Sequence, residues 1–250
     1  MDDFKIAEQI ILERSKRRGL NVNLNKMKYL SKSLFANLHY TPKSSLIIGI
    51  GHGHNILVMM LMGLLDEVVG VDPYISSAGN DDIDYKLLIE TSKQLELQNK
   101  LTIHKTTIQD FLLNNKFEKK KKYDFIYAAD VFHHIFVTEE KLSESNVYDE
   151  SIELFAKLKG MLNIGRCFVL DEVERRGAMP LLVTSGVTKW QIDYTTKQSY
   201  REWEKSAKAG GFVLCNMNVY VPYRLRKFKF LLNNRFALYT LCNRFFLSFR

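Results

Sequence analysis

The chain is poor in residues that break, staple or anchor a fold. It has only 4 prolines in 250 residues, which argues against proline-rich linkers and lets periodic segments run on. Its three cysteines, Cys167, Cys215 and Cys242, are odd in number and lack metal-like spacing. That excludes a disulfide framework. Cys167 and Cys215 lie in apolar, strand-like runs, so buried thiols in a reducing compartment are expected. No uninterrupted apolar run reaches the ~18 residues of a membrane-spanning helix. The opening MDDFKIAEQI has no signal-peptide apolar core, and a cytoplasmic location is expected. Acids are missing from one region: residues 223–250 hold seven bases and eight aromatics with no Asp or Glu. Removing those seven from the net charge of +8 leaves residues 1–222 at about +1. Overall basicity is therefore no argument that the whole chain binds nucleic acid.

What is present suffices for a packed core. With 46% hydrophobic and 12% aromatic residues, the chain reads as one large α/β domain or two small ones. Helical spacing predicts helices over 3–18 (Phe4, Ile6, Ala7, Ile10, Ile11) and 24–38 (Met27, Leu30, Leu34, Phe35, Leu38). Gly19 stops the first, and Thr41-Pro42 breaks the chain after the second. Strands are then expected at 46–48, 67–71, 101–105, 123–128, 166–170 and 212–218, with a seventh at 219–223. Helices are expected between them at 55–65, 83–97, 138–162 and 197–209, with a short turn or helix at 107–113. This alternation predicts a doubly wound, mainly parallel seven-stranded Rossmann-like sheet. The expected organisation is an N-terminal helical extension over 1–40, a main domain over 41–222 and a basic C-terminal segment over 223–250. The lysine run at 119–122 reads as a solvated loop.

The chemistry concentrates in residues 44–74, SSLIIGIGHGHNILVMMLMGLLDEVVGVDPY. A short apolar strand leads into Gly49, Gly51 and Gly53, then a helix, a second strand and Asp72 at its end. Such a unit aims a glycine turn and a helix N-terminus at a ligand, and a carboxylate at Asp72 can accept from ribose hydroxyls. The dinucleotide fingerprint G-x-G-x-x-G needs a third glycine where His54 stands, and that bulk speaks against a pyrophosphate site. Further along, Gln109-Asp110-Phe111 follows the third strand, with Asp110 also readable as a helix N-terminal residue. Asp130, His133 and His134 follow the fourth.

Together these segments resemble class I S-adenosyl-L-methionine (SAM)-dependent methyltransferases, in the branch that modifies small molecules. Residues 44–74 look like motif I of that family, with Asp72 matching the ribose-holding acid and Pro73 beside it. Thr107-Ile108-Gln109-Asp110-Phe111 resembles the segment after strand three. There the acid accepts from the adenine amino group and an apolar neighbour touches the ring. Residues 124–134, DFIYAADVFHH, resemble the strand-four pattern that lines the methionyl end of the cofactor. The likeness covers roughly residues 40–220. It implies SAM as cofactor, no metal, and a cofactor site of Gly49, Gly51, Gly53, Asp72, Pro73, Gln109, Asp110, Phe111 and Asp130. One position departs: the family usually carries an acid where Ile47 stands, so Asp130 or backbone carbonyls near Gly49 would hold the SAM amino group.

Methyl transfer from a sulfonium is an in-line displacement, in which placement does much of the work. An oxygen acceptor adds the need for a base. His133 and His134 are the candidates, since imidazole exchanges protons near neutral pH, with Asp171 and Glu172 next. Residues 179–194, holding Pro180, Leu181, Leu182, Val183, Trp190 and Tyr194, suit acceptor selection as a long loop after strand five; packing over the sheet is the alternative. Trp203 reads as core. Leu238, Leu241, Cys242, Phe245 and Phe249 share one face of a basic amphipathic helix in the last segment. That helix could pack on the sheet, lie on an anionic membrane or contact RNA. The expected function is O-methylation of a small or lipid-like acceptor. The alternatives are an RNA or tRNA methyltransferase using the tail, and a SAM-binding protein without catalysis. No Asn-Pro-Pro-aromatic signature of amino-group methylation follows strand four.

Overall fold

A computed structural model describes residues 3–36, 38–75, 81–114, 121–136, 144–178, 181–182, 197–240, 242 and 244–250. The chain divides into two compact units, Met1–Asp124 and Phe125–Arg250.

The first unit begins with helices α1 (Asp3–Arg17) and α2 (Leu24–Phe35), as the sequence spacing predicts. The Asn23 side chain caps α2 by accepting from the Lys26 N–H at 2.9 Å. Strand β1 (Ser44–Ile48) pairs in parallel with β2 (Glu67–Val71), and β2 with β3 (Leu101–His104). Leu46, Ile47 and Ile48 are all buried, the signature of a strand covered on both faces. Helix α3 (His54–Leu61) starts at the glycine turn and ends four residues before the sequence pattern suggests. The cause is Gly63, whose left-handed backbone (φ 66) returns its N–H to the Met60 carbonyl while Leu64 bonds to Met59. Helix α4 (Asp82–Gln94) opens with a capping box between Asp81 and Asp84. A short helix, α5 (Ile108–Asn114), follows β3.

The second unit holds β4 (Tyr123–Ala129, entered from the last residues of the first unit), α6 (Phe132–Ile135), α7 (Glu144–Met161), β5 (Leu162–Val173), α8 (Tyr200–Ala209) and β6 (Leu214–Val219). Then come a 3₁₀ turn (Tyr223–Phe228), α9 (Lys229–Leu232), α10 (Arg235–Thr240) and β7 (Arg244–Phe249). Its core is aromatic: Phe132, Phe136, Phe155, Phe168, Phe212 and Trp203 are buried, with ring centroids 5.3–6.4 Å apart. Trp203 is thus core, as expected.

Seven strands form one sheet in the order β3-β2-β1-β4-β5-β7-β6. Three expectations need correction. Strand β5 is longer than 166–170 and includes Asn163-Ile164-Gly165, read from sequence as a helix end. Cys215 is exposed on the edge strand β6, whereas Cys167 and Cys242 are buried free thiols. The seventh strand is 244–249 and not 219–223. It inserts antiparallel between β5 and β6, pairing Leu247 with both Leu170 and Met217. The helical pattern through Cys242, Phe245 and Phe249 therefore breaks. The Cys242 N–H closes α10 on the Ala237 carbonyl at 2.7 Å, and the chain leaves as a strand whose Phe245, Leu247 and Phe249 are wholly buried. The expected boundary at residue 222 does not separate the last segment from the sheet. Leu241 lies outside the described residues.

Candidate functional site

In the first unit the glycine turn is held by its neighbours from every side. Gly49, Gly51 and Gly53 all have left-handed backbones, with φ of 74, 55 and 75, which only glycine adopts without strain. A Cβ on Gly53 would sit 2.5 Å from a methyl of Leu88 on α4, so this glycine serves close packing. A Cβ on Gly51 would meet nothing within 4 Å; its side-chain position is open for a ligand to approach the backbone. Between them Ile50 fills the space a side chain on Gly70 would take, which pins the turn to β2.

Asp72, just past β2, is buried. Its carboxylate accepts from the Gly51 N–H at 2.9 Å and the Tyr74 N–H at 2.8 Å, the second bond tightening a turn through Pro73. Asp72 and the glycines thus meet at one point, as the sequence spacing implies. Asp110 does something more local. It accepts from the Thr107 hydroxyl at 2.8 Å and is exposed with Gln109, while Phe111 is buried edge-on to His104. These are the bonds of a helix start.

Sequence reasoning leaves the two N-terminal helices either covering the mouth of the site or packing on the sheet edge, and singles out no polar residue of α1. Arg14 is buried, its Nη2 donating to the His52 carbonyl in the glycine turn, while its Nε and Nη1 have no partner among the described residues. Burial lowers its pKa to about 10. The nearby Tyr74 hydroxyl is also buried without a partner, and burial pushes it upward. The Ser15 hydroxyl meets His54 Nε2 at 2.9 Å; burial and then Arg14 push that imidazole down to about 4, so it is neutral. Arg18 clasps both oxygens of Asp84 at 3.0 Å, and Asp84 in turn meets His52 Nδ1 at 2.9 Å. Arg14, Ser15 and Arg18 thereby tie the end of α1 to His52 and His54 of the turn and to Asp84 of α4. The only hint in the sequence was polar Arg14 and Ser15 beside an otherwise apolar stripe.

In the second unit the end of β4 carries a polar corner. Asp130 has a left-handed backbone (φ 52), an uncommon state for a non-glycine residue that turns the chain into α6. His133 is buried, with Nδ1 2.9 Å from Glu172 Oε2 and Nε2 against Lys197 Nζ. Glu172 also accepts from the Val131 and Phe132 N–H groups at 3.1 and 2.9 Å. Both ring nitrogens of His133 are therefore engaged. His134 is exposed, its ring 4.0 Å from that of His133. Partial desolvation, and then repulsion by His133 and Lys197, lower its pKa; it is neutral at physiological pH.

Arg244, at the start of β7, joins two acids, donating to Asp171 at 2.6 Å and to Asp130 at 2.5 Å. Tyr127 donates to Asp171 at 2.9 Å. Burial raises Asp171 to about 6 despite Arg244. At Asp130, which is exposed, partial desolvation is outweighed by Arg244, Lys197 and His133, which hold the carboxyl below the usual range. Asp171, Glu172 and Glu174 are buried, so the strand end is not solvated. Asp130, His133 and Glu172 offer ligand atoms within 4.8 Å of one another, a metal-like grouping that the sequence reading does not anticipate. Each is already hydrogen-bonded, so a cation would have to displace Lys197 and Arg244. The acceptor-selecting loop at 179–194 falls almost wholly outside the described residues.

No family model matches the sequence, and no curated protein matches it significantly. Solved structures match the fold. An O-methyltransferase from Bacillus cereus in complex with SAH aligns at TM-score 0.59 and 12% identity over 100% of this chain and 91% of that one. An S-adenosylmethionine-dependent methyltransferase from Clostridium acetobutylicum gives 0.57 and 10%, covering 96% of each chain. A cyclopropane synthase from Mycobacterium tuberculosis gives 0.57 and 12%, over 88% of this chain and 82% of that one. This chain spans about half of some other matches, 50% of a methyltransferase complexed with SAH and 54% of an O-methyltransferase family protein from Burkholderia thailandensis. At such identities the likeness is one of fold.

Proposed function

We propose that the chain is a SAM-dependent methyltransferase acting on an oxygen of a small or lipid-like acceptor. The observation that carries this reading is Asp72: a buried carboxylate at the end of β2, tied to the N–H of Gly51, whose side-chain position is open. A ribose beside an open glycine turn fits that chemistry. The unpartnered nitrogens of Arg14 and the unpartnered Tyr74 hydroxyl fit it too, since a guanidinium with two spare donors suits a carboxylate such as that of the methionyl group. Fold-level likeness to proteins solved with SAH supports the same cofactor.

SAM supplies, when bound, a methyl group activated on a sulfonium. In this reading Asp72 accepts from the ribose hydroxyls, Arg14 holds the carboxylate, and the backbone at Gly51 lines the cofactor. His134, exposed and neutral, takes the proton of the acceptor hydroxyl. His133, clamped by Glu172 and Lys197, positions its neighbour and keeps a cation beside Asp130.

The test is calorimetric titration of the whole chain with SAH. Wild type should bind, Asp72→Ala should lose at least tenfold in affinity, and Arg14→Met should lose affinity without lowering the melting temperature. Absence of wild-type binding, or undiminished binding by Asp72→Ala, overturns the reading.

A further inference from the structure

Between β6 and β7 lies an exposed face that neither the core nor the proposed chemistry uses. Across the 3₁₀ turn and the two short helices at 223–240, only Ala237 and Leu238 are buried. Phe228, Phe230, Leu231 and Phe236 are exposed by 53, 79, 58 and 76%. Arg224, Arg226, Lys227 and Arg235 are exposed among them, and residues 223–250 contain no acid. Four large apolar side chains in nine residues are too many to be incidental surface.

We infer that this face docks on an anionic lipid bilayer, seating its apolar side chains at the headgroup level and its bases against lipid phosphates. Charge decides against a second copy of the chain, because a symmetric contact would set one group of bases against its twin. Apolarity decides against a nucleic acid. Leu231 has no ring to stack on a base, and it is exposed by 58%. The apolar side chains would stay in water along a phosphate backbone, whereas a bilayer covers both kinds of group. The face also differs from the one helical periodicity suggests. Leu238, Cys242, Phe245 and Phe249 are inside, and the exposed apolar residues are the earlier Phe228, Phe230, Leu231 and Phe236. This inference stands apart from the methyltransferase reading and does not depend on it.

Co-sedimentation of the full chain with vesicles tests it, comparing phosphatidylcholine alone with a mixture containing about one-third phosphatidylglycerol. Removing 223–250 would be a poor probe, since it deletes β7. The variants are Phe230→Ser/Phe236→Ser and Arg226→Glu/Lys227→Glu, each checked for an unchanged melting temperature, as befits exposed positions. Wild type should partition to the anionic vesicles and release as salt rises. Each charge removed should weaken partition about fivefold, so the double reversal should lose ~25-fold or more. The double serine variant should lose at least about tenfold. The inference is overturned by no wild-type preference for anionic vesicles, by undiminished partition of both variants, or by a lipid-free dimer that the serine variant dissolves. Tighter binding to RNA than to vesicles, indifferent to the serine changes, would reassign the face to nucleic acid and overturn it equally.

Discussion

Replacing Arg244 by methionine isolates the electrostatics of the β4–β5–β7 corner. Arg244 is the cation on Asp171 at 2.6 Å, and Asp171 is 4% exposed. Even with that partner, burial lifts Asp171 from 3.8 to about 6. A carboxyl raised in the folded state favours folding in its protonated form. Its contribution is complete below about pH 4, is lost as pH climbs through about 6, and leaves a cost of about 3 kcal/mol above that. Without Arg244 the main influence lowering this pKa disappears, so the cost grows and extends to higher pH. Stranding a buried charge costs about 3–5 kcal/mol, which for a chain this long lowers the melting temperature by roughly 6–20 °C. Asp130, with 44% of its side chain exposed, is solvated and adds little. The assay is thermal unfolding of wild type and Arg244→Met between about pH 4 and pH 8. The gap should be full at the alkaline end and mostly closed at the acid end. Asp171→Asn in the same background should flatten the pH dependence. An equal gap at both ends would refute the argument and make Arg244 a matter of packing.

Gly53→Ala should destabilise by roughly 1–3 kcal/mol, because the new Cβ meets Leu88 at 2.5 Å on a left-handed backbone. Gly51→Ala should cost only about 1 kcal/mol from its backbone yet weaken SAH binding, so a melt and a titration of the two variants separate packing from ligand approach. Asp84→Asn should cost about 2–4 kcal/mol at neutral pH. Burial would raise Asp84, but His52 and Arg18 hold it low, so its stabilisation is present above about pH 4 and lost on acidification. The variant and wild type should then converge in urea titrations run in acid. His134→Gln should lower kcat by about 100-fold, leave SAH affinity unchanged, and abolish the fall in kcat that wild type shows on acidification, at a pH below the ordinary imidazole range because the His134 pKa is lowered.

Much of the sheet was legible because its information is local. A doubly buried strand such as Leu46–Ile48 is an apolar run whatever its neighbours are, and glycines after it announce the turn. The last strand was not legible for the opposite reason. Phe245 to Phe249 is equally apolar on every side, so a helix stripe and a doubly covered strand predict the same residues. What decides is where β5 and β6 leave room, a long-range fact. Apolar runs of this kind fix burial before they fix secondary structure.

The site divides along the same line. Asp72 reaches the glycine turn through one βα unit, so its spacing in sequence is its spacing in space. Arg14, Lys197 and Arg244 reach their partners across separations of 38, 64 and up to 114 residues, which no motif records. All three are cations set against groups that the sequence did mark: the turn, His133, and Asp130 with Asp171. A buried acid or imidazole needs a compensating partner, so each marked group implied a cation without naming it. Asp171 and Glu172 stand in the sequence only as further base candidates, because their partners lie far along the chain. Once β7 is recognised as a strand of the sheet, its first residue is bound to arrive at the carboxyl end of β5, where Val173 pairs with Arg244. The missing cation at Asp171 and Asp130 and the misread strand are therefore one fact.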